Sequence, residues 1–289
     1  MSTFKERLNS ASSLHNSFVC VGLDPDPARM AVPDILEFNR TIIDATADVV
    51  CAFKPQLAFY EAFGIPGLQA LEGTIAHIRR VTPHAIILGD AKRGDIGSTA
   101  TAYAKAMFEV WGFDATTVNV YQGFDAVEPF LKYGDRGVFV LCRSSNPSAR
   151  DIQDLPVEVG GTTMPVYRRV AERSEAWNSA GNVGLVIGAT YPEELEELRK
   201  EHPTLPLLIP GVGAQGGDVV AATMYGLDKD GGGMLISSSR DILYASSDPK
   251  TYGDAARGAA IKLRDQINAA VQLWQASGGL TSEGGRPGV

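Results

Sequence analysis

Eight short runs rich in Val, Ile and Leu alternate with longer helix-like stretches, and this alternation narrows the fold more than any other feature. The runs are Phe18–Leu23, Val49–Lys54, Ala85–Asp90, Ala115–Val120, Gly137–Cys142, Asn182–Ile187, Leu205–Ile209 and Gly233–Ser237. None switches cleanly between apolar and polar, as expected of parallel strands covered on both faces. Helical patterns fall near 35–47, 67–81, 99–111, 125–132, 163–180, 192–200 and 215–225, with a last helix over Thr251–Ala276. Pro33, Pro66 and Pro192 stand at or just ahead of helix starts, where a missing N–H does little harm. Gly112, Gly134 and Gly226 follow helix ends, where a left-handed cap suits glycine. Eight strands each followed by a helix predict an α/β chain of the TIM (β/α)8-barrel type, with one domain over 1–276. An open doubly wound sheet is the alternative. It predicts a glycine-rich turn after the first strand, where this chain reads GLDPDP. No internal repeat is apparent, and the tail 277–289, SGGLTSEGGRPGV, is expected to be disordered.

At 289 residues, 44% hydrophobic, the chain is long enough to bury roughly three quarters of its unfolded surface without a disulfide or metal staple. The formal charge of −8 argues against a general nucleic-acid binder, which needs a basic face. A small anionic substrate remains compatible, because a few local cations hold one phosphate. Cys20, Cys51 and Cys142 sit in apolar runs without metal-ligand spacing and read as buried, reduced thiols. The first residues, MSTFKERLNS, lack a signal-peptide core, and no run of about 18 apolar residues exists. A cytoplasmic protein with neither membrane nor nucleic-acid partner is the expectation.

In such barrels the reactive groups stand at the C-terminal ends of strands. Strand one ends at Asp24, strand two at Lys54, and strand three in Asp90-Ala91-Lys92, followed by Arg93-Gly94-Asp95. Asp90 and Lys92 are two apart and so share one side of the strand. These charges follow apolar sequence and are poorly explained as a solvated face. A structural ion-pair network would account for any single pair equally well; four alternating charges at one mouth point further, to chemistry. His15, His77, His84 and His202 offer no rival, since none falls at a strand end.

A second constellation follows strands seven and eight. Strand seven runs into Pro210-Gly211-Val212-Gly213-Ala214-Gln215-Gly216-Gly217-Asp218, and strand eight ends in Ser237-Ser238-Ser239-Arg240. Many TIM barrels bind phosphate with these two loops. Gly211, Gly213 and Gly216 would let backbone N–H groups approach the oxygens, and Arg240 would add a charged clamp. A tight turn is the plain reading of the glycines alone. The connection Arg143–Gly181 is oversized, and its first part, Ser144-Ser145-Asn146-Pro147, reads as an active-site loop able to close.

The segment Asp90-Ala91-Lys92-Arg93-Gly94-Asp95-Ile96 resembles the DxKxxDI motif of the orotidine 5′-monophosphate decarboxylases. DAKRGDIGSTA, VGLDPD, FKPQLAFYE, RSSNPS and PGVGAQGGD are similar to the longer-chain bacterial subgroup, in order, from about residue 18 to 245. The resemblance implies a homodimer that converts orotidine 5′-monophosphate to UMP with no cofactor and no metal. It implies Lys92 as proton donor to C6 of the pyrimidine, Asp90 beside the substrate carboxylate, and Lys54 holding Asp90 and the ribose. Asp95, Ile96 and Thr99 would complete the partner's site. Asp24 would bind a ribose hydroxyl, Ser145 (Ser144 as the lesser choice) the base, and Pro210 would line the base pocket. Gln215 would bridge phosphate and lid, and Arg240 would hold the phosphate. DxKxxD alone is shared with sugar-phosphate enzymes that use Mg2+. Those place a metal-binding carboxylate on strand two, where this chain has Lys54. A catalytically silent nucleotide-binding barrel is the other alternative.

Overall fold

The structure is a computed structural model and describes residues 2–213 and 216–279. The chain opens with helix α1 (Phe4–His15), then β1 (Val19–Leu23), α2 (Ile35–Thr46), β2 (Ala52–Pro55), the short α3 (Ala58–Glu61) and α4 (Gly64–Val81). Next come β3 (Ile86–Arg93), α5 (Gly97–Lys105, continued by a π-turn over Ala106–Val110), β4 (Ala115–Val118), α6 (Glu128–Leu131) and β5 (Gly137–Arg143). The long connection holds α7 (Arg150–Gln153), a hairpin of β6 (Pro156–Val159) and β7 (Thr162–Pro165), and α8 (Val166–Ala176). The chain closes with β8 (Val183–Ile187), α9 (Pro192–Glu201), β9 (Leu207–Pro210), α10 (Val219–Gly226), β10 (Met234–Ser238), α11 (Arg240–Leu243) and α12 (Tyr252–Ala276).

Eight parallel strands close into a barrel in the order β1-β10-β9-β8-β5-β4-β3-β2. These are the eight runs of the sequence, so the TIM-type barrel, and not the open sheet, is the fold. Alternation splits the core in two. Val19, Val21 and Leu23 of β1 face the helices and join the larger apolar cluster. Cys20, Ala52, Leu88, Ala115, Phe139, Val186, Leu208 and Leu235 face inward and fill the barrel.

Helix α1 closes the N-terminal end of the barrel. Phe4, Leu8 and Ala11 belong to the inner cluster, and the Phe4 ring meets Phe139 edge-on with centroids 5.8 Å apart. Gly137 makes this possible, because a Cβ there would lie 2.5 Å from the Phe4 ring. Ion pairs from Lys5 to Asp228 and from Arg7 to Asp114 fix the helix to the loops beneath β10 and β4. The sequence carries the signals for α1: apolar residues at i, i+4 and i+7, and a capping box between Thr3 and Glu6.

Two expectations need correction. Residues 162–165 form the second strand of a hairpin, so the helix expected over 163–180 starts at Val166 and ends at Ala176. Of the three proposed glycine caps only Gly112 is left-handed, at φ +69°. Gly226 instead serves packing, since a Cβ there would lie 2.5 Å from Ile209 Cδ1; Gly134 has no positive φ. Of the expected disordered tail, residues 280–289 lie outside the described residues, whereas Ser277, Gly278 and Gly279 are placed.

Candidate active site

A cavity of about 540 Å3 opens where the strands end. Asp24, Lys54, Asp90, Lys92, Ser145, Pro210, Gly211 and Arg240, each expected in the site, all line it. Alternation accounts for most of this. On β1 and β2 the inward positions Cys20 and Ala52 belong to the barrel filling, and the same parity one or two steps on delivers Asp24 and Lys54 to the cavity.

Strand β3 departs from regular pairing. Leu88 pairs with Ala115 and Gly89 with Thr116, but the next pair is Arg93 with Val118. Asp90, Ala91 and Lys92 therefore stand opposite the single residue Thr117. Bulges of this kind re-aim side chains at barrel rims. Lys92 takes a left-handed φ of +46°, a conformation that costs a non-glycine residue about 1–3 kcal/mol. Its backbone N–H donates to Thr117 Oγ1 at 2.9 Å.

Asp90 is the hub. Its Oδ2 accepts from Lys54 Nζ at 3.0 Å, and its Oδ1 accepts from Lys92 Nζ at 2.6 Å and from Thr117 Oγ1 at 2.8 Å. Asp90 and Lys54 are buried, while the Lys92 side chain is 44% exposed toward the cavity. Burial opposes the charge on Asp90, but the two ammonium groups and their hydrogen bonds outweigh it and hold the carboxyl well below its usual range. Burial likewise opposes the charge on Lys54, and Asp90 and Asp24 more than restore it, raising the amine above its ordinary value. Asp24 Oδ1 lies 4.0 Å from Lys54 Nζ and has no hydrogen-bond partner among the described residues. It is an acceptor on the cavity wall, suited to a ligand hydroxyl.

The loop after β5 contributes Ser144, Ser145 and Asn146. The Ser144 hydroxyl is engaged within the loop, accepting from Gln153 Nε2 at 2.7 Å and donating to Asn146 Oδ1 at 2.8 Å. Behind the loop, Arg143 is buried, paired with Asp154 at 2.6 Å and stacked on Tyr191 at 3.9 Å. On the glycine loop Gly211 lines the cavity, whereas Gly213 and Gly216 do not. Their N–H groups bond within the loop, Gly213 to the Gly217 carbonyl and Gly216 to the Gly213 carbonyl. The expected approach of these two N–H groups to a phosphate is thus not set up by this conformation. Left-handed φ values of +97°, +68° and +85° explain the glycines at 211, 213 and 216. Gln215 lies outside the described residues.

Asp95, Ile96 and Thr99 do not line the cavity. Asp95 accepts from the Ile96 N–H at 2.8 Å, and Ile96 and Thr99 are exposed at the start of α5. A second, open recess of about 290 Å3 is lined by Lys92, Gly94, Asn119, Tyr121 and Gln122.

Several cavity residues carry no signal in the sequence. Thr117 is one, at an inward strand-end position where charge is the feature that stands out and a hydroxyl does not. Tyr244 and Arg29 are another pair. The Tyr244 hydroxyl donates to the Asp24 carbonyl at 2.6 Å and accepts from the Asp26 N–H at 2.8 Å, and Arg29 lies over its ring at 4.1 Å. The cysteines behave as expected: burial pushes the thiols of Cys20 and Cys142 up to about 12, which leaves them inert. No histidine lines the cavity among the described residues.

A closed eight-stranded barrel with a buried carboxylate held between two ammonium groups at its C-terminal mouth defines a (β/α)8-barrel enzyme with a preformed charged centre. The chain belongs to the Orotidine 5′-phosphate decarboxylase / HUMPS family, whose model matches residues 17–256. It is 51% identical over 272 residues to an orotidine 5′-phosphate decarboxylase of Ralstonia nicotianae, covering 92% of this chain and 98% of the relative. It is 50% identical to that of Thermomicrobium roseum, covering 92% and 95%. A crystal structure of a putative orotidine-monophosphate decarboxylase from Toxoplasma gondii superposes with a TM-score of 0.83 at 39% identity, covering 94% of this chain and 98% of that one.

Proposed function

We propose that this chain decarboxylates orotidine 5′-phosphate to UMP, with Lys92 as the group that steadies and then protonates the reacting carbon. The observation that carries this reading is the Lys92 ammonium 2.6 Å from a buried, ionised Asp90 on the wall of a cavity that also holds Arg240. Breaking the bond between C6 and its carboxylate releases CO2 and leaves the electron pair on C6, in the ring plane. No adjacent carbonyl takes up that charge, so placed positive charge must. Lys92 donates its proton to C6, and the resulting amine is reprotonated from solvent. Asp90 would lie beside the substrate carboxylate and repel it in the ground state. Lys54 keeps Asp90 ionised and in place. Asp24 would take a ribose hydroxyl, Ser145 the base, Pro210 the base pocket and Arg240 the phosphate. Gln215 would bridge the phosphate and the closing loop, and the N–H groups of Gly213 and Gly216 would reach the phosphate only by leaving their bonds within the glycine loop. Phosphate contacts far from C6 supply binding energy that is realised at the reacting carbon.

The resemblance also supports a homodimer. Ile96 and Thr99 are exposed, Asp95 is half-buried, and Tyr121, on the recess beside Lys92, is 90% exposed, so these residues are open to a second copy of the chain. The open recess beside Lys92 offers a path by which the partner's Asp95 would reach the ammonium. Among the described residues no helix is long and apolar enough to cross a membrane.

The Mg2+-dependent alternative is disfavoured by Lys54. Its ammonium, 3.0 Å from Asp90, takes up the carboxylate that a divalent ion would need. The test is a spectrophotometric assay with orotidine 5′-phosphate, with and without EDTA. Loss of substrate absorbance at equal rates in both supports the reading. UMP binding without turnover, or turnover abolished by chelator, overturns it.

A further inference from the structure

We infer that Thr117 is a positioning residue for the proton donor: one hydroxyl holds the Asp90 carboxylate and the left-handed backbone of Lys92 in register. The inference rests on the decarboxylase reading above. Thr117 is the one β4 residue opposite the three-residue bulge, and it is 1% exposed. A hydroxyl carries one donor and two acceptor sites. Here the donor goes to Asp90 Oδ1 at 2.8 Å and an acceptor site takes the Lys92 N–H at 2.9 Å. The bulge removes that N–H from the regular ladder, so the side chain of Thr117 replaces a strand carbonyl as its partner.

The consequence is geometric. The Lys92 side chain leaves the backbone at φ +46°, a conformation that needs support from its surroundings. Thr117 ties that backbone to the same oxygen, Asp90 Oδ1, that accepts from Lys92 Nζ. Both ends of the lysine are therefore referred to one carboxylate. The neighbouring Thr116 makes no such link, because its hydroxyl bonds the Gly89 carbonyl at 2.9 Å and does not line the cavity.

Thr117→Val keeps the shape and removes the hydroxyl. Losing hydrogen bonds at a charged centre of this kind is expected to lower kcat about 10- to 100-fold, with KM for orotidine 5′-phosphate and Kd for UMP within about twofold. Thr117→Ser restores the hydroxyl and is expected to stay within about threefold of the parent kcat. A merely structural role would move both variants together with their thermal midpoints and would not split kcat from KM. If Thr117→Val aggregates, Thr117→Ala makes the same cut and must show the same kcat loss. A parent-like kcat in the variant lacking the hydroxyl, or a serine variant as impaired as the valine one, overturns the inference while leaving the decarboxylase reading intact. That reading fails separately, if the parent protein does not turn over orotidine 5′-phosphate.

Discussion

Lys92 Nζ lies 2.6 Å from Asp90 Oδ1, two residues back along the chain and across a bulge. The same carboxylate takes a second ammonium, Lys54, on its other oxygen. This arrangement sets the sign of the site's response to acid. The folded Asp90 carboxyl is held below its unfolded value of ~3.9, so its contribution to stability is complete above that pH and is lost as pH falls toward the folded value.

Asp90→Asn should therefore flatten the acid limb of the stability profile. At neutral pH it should also cost roughly 3–5 kcal/mol, because it leaves the buried Lys54 without its main counter-charge. Urea unfolding of both proteins from neutral pH down to about pH 3 checks both parts. Parallel acid limbs would contradict the depressed carboxyl.

Arg240 lines the cavity after β10 from an exposed position. Arg240→Ala should raise KM for the phosphorylated substrate by about 10- to 100-fold, the worth of a charge-assisted contact. Its effect on the unphosphorylated nucleoside should be small. Steady-state kinetics with both substrates reads the difference. Equal effects on the two, or none on either, would remove Arg240 from the phosphate site.

The floor of the barrel should be separable from its mouth. Phe4 is buried against Phe139 at the end opposite the cavity. Phe4→Ala should lower unfolding free energy by about 3–5 kcal/mol while kcat per folded molecule stays unchanged. Denaturant titration and an active-site titration with a tight ligand measure the two quantities. A large fall in kcat without a loss of stability would show that the floor is coupled to the site.

The mouth and the floor also differ in how much of them the sequence reveals. The eight strands are legible because each is covered on both faces and so is apolar throughout. Asp24, Lys54 and Asp90 are legible because a charge directly after a buried strand marks the point where the barrel opens onto a polar site. The Lys92 bulge is not, since two extra residues in one strand leave no mark on composition, and simple alternation gives Lys92 the right side for the wrong reason. Thr117 is invisible for a related cause: a threonine in a strand is ordinary until its partners are seen. The 156–165 hairpin hides inside a segment that reads as loop and helix, because its exposed strands carry no buried face. The glycine loop shows its left-handed turns in sequence but not that Gly213 and Gly216 commit their N–H groups to the loop itself.

The measurement closest to the central claim is single-turnover decarboxylation by Lys92→Ala, paired with a Kd for UMP. With the ammonium gone, the rate should fall by at least about 10²- to 10⁴-fold, the range for a lost general acid, while UMP binding stays near that of the parent. Near-parental turnover in that variant would contradict the account.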